Sequence, residues 1–220
     1  AIVDMPVEMR KLALVYLFQW YAMNIYWQYV SLSVSQSLYG TTDARSEGYQ
    51  LAVANTGVIN GAYNIVTFCV AFGLVALARR WGAKWVHAIA LWCATVGLVL
   101  FPQLPTLPLK VVAIVGLGIA WASIMGVPYI MIVRMVPSTR YGVYMGIVNM
   151  MIVIPMLIQT LTFGAIYKNL LGDNPNNAIM AAGILLGIAG LAMLWVKEPP
   201  IVRDIEPVGS GDETVTTKGA

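Results

Sequence analysis

Acidic side chains are missing from every long apolar stretch of this chain. All ten (Asp4, Glu8, Asp43, Glu47, Asp173, Glu198, Asp204, Glu206, Asp212 and Glu213) fall in the polar breaks or near the ends. A proton relay inside a membrane usually needs a carboxylate or His, so a coupling acid is expected outside this sequence. Charge of either sign is scarce, at 10% of residues, where a soluble domain carries about 25%. The one His, His87, follows Lys84 closely and reads as a residue of the membrane edge. A single His cannot assemble a metal site, and no metal or other cofactor is expected. Cys69 and Cys93 lie inside apolar stretches and read as small filler, not as a disulfide framework. No basic stripe suits nucleic acid. No nucleophile–base pair and no embedded pair of acids occurs, which argues against an enzyme. The polar, acidic start and the long first apolar run do not fit a signal peptide.

What fills the chain is hydrophobic, 59% of it. The apolar stretches run over Leu12–Leu32, Ala52–Ala78, Trp85–Phe101, Leu109–Met131, Gly142–Ile166 and Ala178–Val196. Each is near the roughly 20 residues that carry a helix across a bilayer. They are continuously apolar, whereas barrel strands alternate polarity over about 10 residues. The expectation is an all-α membrane protein with six transmembrane helices over residues 12–196. Residues 1–11, lacking an initiator Met, read as the cytoplasmic end of a linker. Residues 197–220 read as a disordered cytoplasmic tail.

Basic residues set the orientation. If the helices alternate, Arg10, Lys11, Arg79, Arg80, Lys84, Arg134, Arg140, Lys197, Arg203 and Lys218 share one side, and only Arg45, Lys110 and Lys168 take the other. That bias puts both termini in the cytoplasm of a multi-pass protein in the inner or plasma membrane. Pairs of glycine four residues apart (Gly57/Gly61, Gly142/Gly146 and Gly183/Gly187) mark close helix packing.

Polar residues within the stretches are the candidate site. The first holds Gln19, Asn24 and Gln28 among Trp20, Tyr21, Tyr26 and Trp27. Asn24 and Gln28 share a helix face. An amide in lipid needs a partner or water. Amides beside indoles suit a sugar, whose hydroxyls need donors and acceptors and whose apolar face stacks on rings. Interhelical amide bonding with interfacial Trp anchors accounts for the same residues. Asn60 and Asn64 make a second such face, on which both readings apply; Asn149 and Tyr129 complete the substrate-contact set. Gly126, Pro128 and Pro155 would bend helices, and Arg134 either snorkels to headgroups or gates.

The segment Gly142-Val-Tyr-Met-Gly-Ile-Val-Asn149-Met-Met-Ile-Val-Ile-Pro155 resembles the eleventh helix of sucrose and maltose transporters in the major facilitator superfamily. Met156 stands where those have Gln. Gly126-Val-Pro-Tyr129 resembles an element of their tenth helix, and Gly172-Asp-Asn-Pro175 a turn of bacterial members. Arg79-Arg80-Trp81-Gly82-Ala83-Lys84 is similar to the superfamily's cytoplasmic loop signature, matching at Arg80, Gly82 and Lys84, with Arg79 in place of its Asp. An acidic element that plant sucrose transporters carry at the end of the seventh helix has no counterpart; Tyr26-Trp-Gln-Tyr29 stands there. The resemblance implies helices seven to twelve of a sugar symporter coupled to H+ or another cation. Its partners would be the sugar, the ion, the bilayer and an N-terminal six-helix half. Alternatives are a superfamily transporter of a non-sugar solute, or a self-contained six-helix channel or scaffold.

The orientation is checked by labelling. In intact cells a membrane-impermeant maleimide should modify a Thr106→Cys variant, in the Pro102–Pro108 turn, and should leave an Arg80→Cys variant unmodified.

Overall fold

The computed structural model describes residues 5–136 and 138–198. All the regular elements described are helical. They are α1 (Val7–Tyr39), α2 (Glu47–Trp81), α3 (Ala83–Leu100), α4 (Leu107–Met135), α5 (Tyr141–Asn169) and α6 (Pro175–Met193), with 3-10 turns at Phe101–Gln103 and Ser138–Arg140. Each expected apolar stretch has its helix. The first begins at Val7, so part of the expected linker is helical. The expected tail lies outside the described residues apart from Lys197 and Glu198.

Five of the helices, α2 to α6, are long and apolar enough to cross a membrane. α1 has the length, 33 residues, but its amides, serines and the charges of its first turns dilute its hydropathy. Those polar residues largely point inward: Gln19, Asn24, Ser33 and Ser35 are all buried. Lipid cannot satisfy them, so they sit where other helices can.

Local chemistry sets the helix ends. α1 stops at Gly40, whose left-handed backbone (φ 65°) returns its N–H to the Gln36 carbonyl. Ser46 caps α2 by accepting the Tyr49 N–H, and Asn174 caps α6 by accepting the Asn176 N–H. Gly82 alone joins α2 to α3, and its φ of 91° is open only to a residue without a Cβ. Arg79 and Arg80 close the last turn of α2, where cations complement the helix dipole.

The helices α1, α6, α3, α4 and α2 form a ring in which each packs on the next and α2 returns to α1. α5 stands outside, against α1. Glycines show which seams are tight. A Cβ on Gly116 would run into the Cys93 carbonyl, and one on Gly97 into the Ala113 carbonyl, so α3 and α4 touch backbone to backbone. Gly183 and Gly187 press on Leu98 and Thr95 of α3, with a Cβ at 3.1 and 3.2 Å. That pair serves packing as expected. Gly57, Gly61, Gly142 and Gly146 do not: a Cβ on any of them meets nothing within 4 Å. They lie on α2 and α5, the least buried of the apolar helices.

Gly116→Ala should lower the thermal stability of the detergent-solubilised protein by about 1–3 kcal/mol, because a helix carbonyl cannot move aside. Gly73→Ala, in open space on α2, should be neutral or slightly stabilising. Thiol-dye melting curves of both variants make the check.

Candidate functional site

Asn24, near the middle of α1, is the centre of a buried amide cluster. Its Nδ2 donates to Gln159 Oε1 at 2.5 Å, to the Met156 carbonyl at 3.2 Å and to Thr160 Oγ1 at 3.3 Å, all on α5. Gln28, one turn along, exchanges two bonds with the same Gln159: Gln28 Nε2 donates to Oε1 at 3.3 Å, and Gln159 Nε2 donates to Gln28 Oε1 at 3.2 Å. Gln159 is fully buried, whereas Gln28 is exposed. α5 is therefore fastened to α1 by amides, with Tyr21 OH and Thr162 Oγ1, 2.9 Å apart, adding a further bond.

Beside the amides lies an indole cluster. Trp27 and Trp121 meet edge to face at 5.4 Å, and Trp20 and Trp121 at 5.9 Å, while Trp20 and Trp27 are tilted to each other at 6.4 Å. Trp20 is buried, but Trp27 is 36% exposed. Trp27 and Gln28 are both exposed, but as consecutive helix residues they point in different directions, Trp27 towards Trp121 of α4 and Gln28 towards Gln159 of α5.

The remaining expected contacts scatter. Asn60 accepts from Tyr26 OH at 2.8 Å, joining α2 to α1. Asn64 is exposed and donates back to the Asn60 carbonyl of its own helix at 2.8 Å. Asn149 is exposed on α5, ten residues or roughly 15 Å along the helix from Gln159. Tyr129 is half-buried on α4, two turns from Trp121. Gln19 is fully buried and bonds His87 Nε2 at 3.1 Å, away from the amide cluster. Pro128 and Pro155 are buried inside continuous helices, α4 and α5, where each removes one backbone donor. Gly126 is half-buried with space around it.

The sequence reading placed neither Gln159 nor Trp121 among the contacts. The signal for Gln159 was its place one turn after Pro155; for Trp121 it was a lone indole in a stretch of small residues. His87, one turn after Lys84, is fully buried; its ring reaches Gln19 of α1 and lies with Nδ1 2.8 Å from Ser123 Oγ of α4.

At the end of the bundle where α2 meets α3, an acid from elsewhere in the chain lies beside the loop Arg79–Lys84. The Glu198 carboxylate, from beyond α6, accepts the Lys84 backbone N–H at the start of α3 and lies beside Gly82. Lys84 Nζ reaches the Leu194 carbonyl at 3.4 Å, while Arg80 is exposed. Glu8 makes a parallel tie, accepting from Lys11 Nζ at 2.8 Å and from the Lys197 N–H at 2.5 Å. Arg134 is exposed and shares a shallow hollow with Glu8, Lys197 and Glu198.

The family model for the Major Facilitator Superfamily matches residues 12–216. The chain belongs to that superfamily. It is an integral, multi-pass membrane protein of a family that transports small solutes, in contact with the bilayer and with a small-molecule substrate. No curated protein matches the chain.

Partial burial pushes the Glu8 carboxyl up, but the Lys11 ammonium and Lys197 amide outweigh this and hold it below its ordinary value of 4.5. A folded value under the unfolded one gives stability that is present above about pH 4.5 and lost as pH falls through the lower folded value. The melting-temperature gap between the protein and its Glu8→Gln variant should therefore be constant from pH 8 to 6 and close towards pH 4.

Proposed function

We propose that the chain is the C-terminal half, helices seven to twelve, of a sugar:cation symporter. It moves a disaccharide or other glycoside together with H+ by alternating access. The observation that carries this reading is the amide cluster of Asn24, Gln28 and Gln159, with the Trp20, Trp27 and Trp121 indoles on a neighbouring side of α1. A pyranose presents hydroxyls around its edge and C–H groups on its face. Amides that already bond each other can exchange one bond for a hydroxyl at small cost, and an indole face is the natural floor.

The N-terminal half finds support in the same coordinates. α2 and α5 expose apolar side chains such as Phe68 (74%) and Leu161 (75%). They also expose glycines Gly57, Gly61, Gly142 and Gly146 with nothing near them. Small-residue stripes allow close helix approach, and a second bundle would use them. It would also cover Asn64 and Asn149 and bring the coupling carboxylate that the apolar stretches here lack. α1, too polar to qualify as a span alone, then serves as the sixth, shielded between the two bundles. Both termini lie in the cytoplasm, and the membrane is the inner or plasma membrane.

Full-length protein in liposomes should accumulate labelled sucrose or maltose under an inward proton gradient and lose the accumulation with a protonophore. Asn24→Ala, Gln28→Ala and Asn60→Ala should each reduce uptake about tenfold, the effect of one lost polar contact of roughly 1.4 kcal/mol. Unchanged uptake in all three would remove this site. Stabilisation in a thermal-shift screen by nucleosides, peptides or drugs, but by no sugar, would move the protein to another substrate class.

A further inference from the structure

Between the N-terminal halves of α1 and α5 lies a hollow of about 440 Å³, with Arg10, Leu14 and Leu17 on one side and Met150 and Ile154 on the other. A second, of about 460 Å³, has Leu17, Phe18 and Tyr21 of α1 as its floor, with Ile158 of α5 and Ile184 of α6 as walls. The two meet at Leu17. Arg10, Leu14, Leu17 and Tyr21 follow one another at spacings of four, three and four, so one stripe of α1 runs through both.

Among the described residues, Arg10 is the only charged side chain of this lining, and it stands at one end. The Tyr21 hydroxyl is engaged with Thr162 Oγ1. A sugar or a peptide laid along such a groove would leave its polar groups without partners; a hydrocarbon chain has none to satisfy. Arg10 is exposed, with Nε donating to the Met5 carbonyl at 3.1 Å. From Arg10 to Tyr21 α1 rises about 16 Å, close to half of the ~30 Å hydrocarbon core of a bilayer. A guanidinium followed by an apolar stripe one leaflet deep has the dimensions of a phospholipid, since the guanidinium fork matches a phosphate.

The sign of the charge fits as well. Glu8 accepts from Lys11 Nζ and from the Lys197 N–H. With Arg10 and Lys11 against that one acid, the first turns of α1 are net positive and favour an anionic headgroup. Asp4 lies outside the described residues. The α5 side of the groove is also distinct from the face assigned above to a second bundle. Ile147, Ile154 and Ile158 each come one residue, about 100° of helix rotation, after Gly146, Val153 and Leu157. Gly142, Gly146 and Asn149 belong to that earlier stripe, so a second bundle and a lipid take different sides of α5.

We propose that the groove between α1 and α5 is a site for one anionic phospholipid, its phosphate on Arg10 and one acyl chain laid past Leu17 towards Tyr21. The inference goes beyond the carrier reading and does not depend on it.

Full-length protein in detergent is titrated with dioleoylphosphatidylglycerol and followed by native mass spectrometry. One lipid should bind in preference to dioleoylphosphatidylcholine. Arg10→Gln should weaken that binding about fivefold, the worth of one basic side chain at a lipid surface, and Arg10→Lys should keep most of it. Ile154→Trp, at a position 52% exposed, should block the groove, whereas Val112→Trp, 68% exposed on α4, should not matter. Should the Ile154 variant fold poorly, a bimane on Ala181→Cys, in the α6 wall, makes the check in nanodiscs. Phosphatidylglycerol with brominated chains should quench it, and less so with Arg10→Gln. Equal binding of both lipids, indifferent to Arg10→Gln and Ile154→Trp, means annular lipid only and overturns the proposal. Preference for free oleate, or a label at Ala181 that brominated lipid does not quench because protein covers the groove, overturns it too. No sugar enters these readouts, so their failure and a failed uptake assay are separate results.

Discussion

A backbone or side-chain dipole in hydrocarbon must find its partner inside the protein, and that requirement organises this molecule. It makes every described regular element a helix. It also turns the polar side of α1 inward, where Asn24 finds Gln159, Ser33 finds Asn176 at 2.7 Å and Tyr26 finds Asn60. The most polar helix is thereby the most central one, contacting α6, α5 and α2. A soluble protein would put such a helix at its surface; lipid reverses the order.

The same constraint separates two kinds of seam. The α3–α4 and α3–α6 seams are apolar and close, held by glycines against carbonyls and side chains. The α1–α5 seam is held by amides, in a superfamily whose members work by moving helices around a substrate. Amide pairs are exchangeable with water or with a hydroxylated ligand, while backbone-to-backbone packing is not. The candidate site thus lies on the seam built from exchangeable contacts.

Much of the fold was legible in the sequence because hydropathy over about 20 residues is a strong signal. Each apolar stretch is a helix, extended by two to seven residues at most ends where polar caps and amphipathic turns continue it beyond the hydrocarbon. The amide faces were visible too, since Asn24 and Gln28 are four residues apart. Their partner was not: nothing in the one-dimensional pattern says which polar residue of another helix, here Gln159 of α5, meets them. The Gln19–His87 contact was not legible for a related reason: sequence position gives depth along one helix only, and the depth at which α3 starts relative to α1 is fixed by packing. Likewise the missing acid of the Arg79–Lys84 loop arrives from Glu198, more than a hundred residues away, a pairing that no local motif can record.

Glu8, in the first turn of α1, accepts the Lys197 N–H just beyond α6, and Glu198, the next residue, accepts the Lys84 N–H at the start of α3. The place where the polypeptide comes into the bundle and the place where it goes out are consequently riveted together, with the first turn of α3 as the third plate. A displacement of the first turn of α1 is therefore passed to the exit of α6 and, through Glu198, to the start of α3.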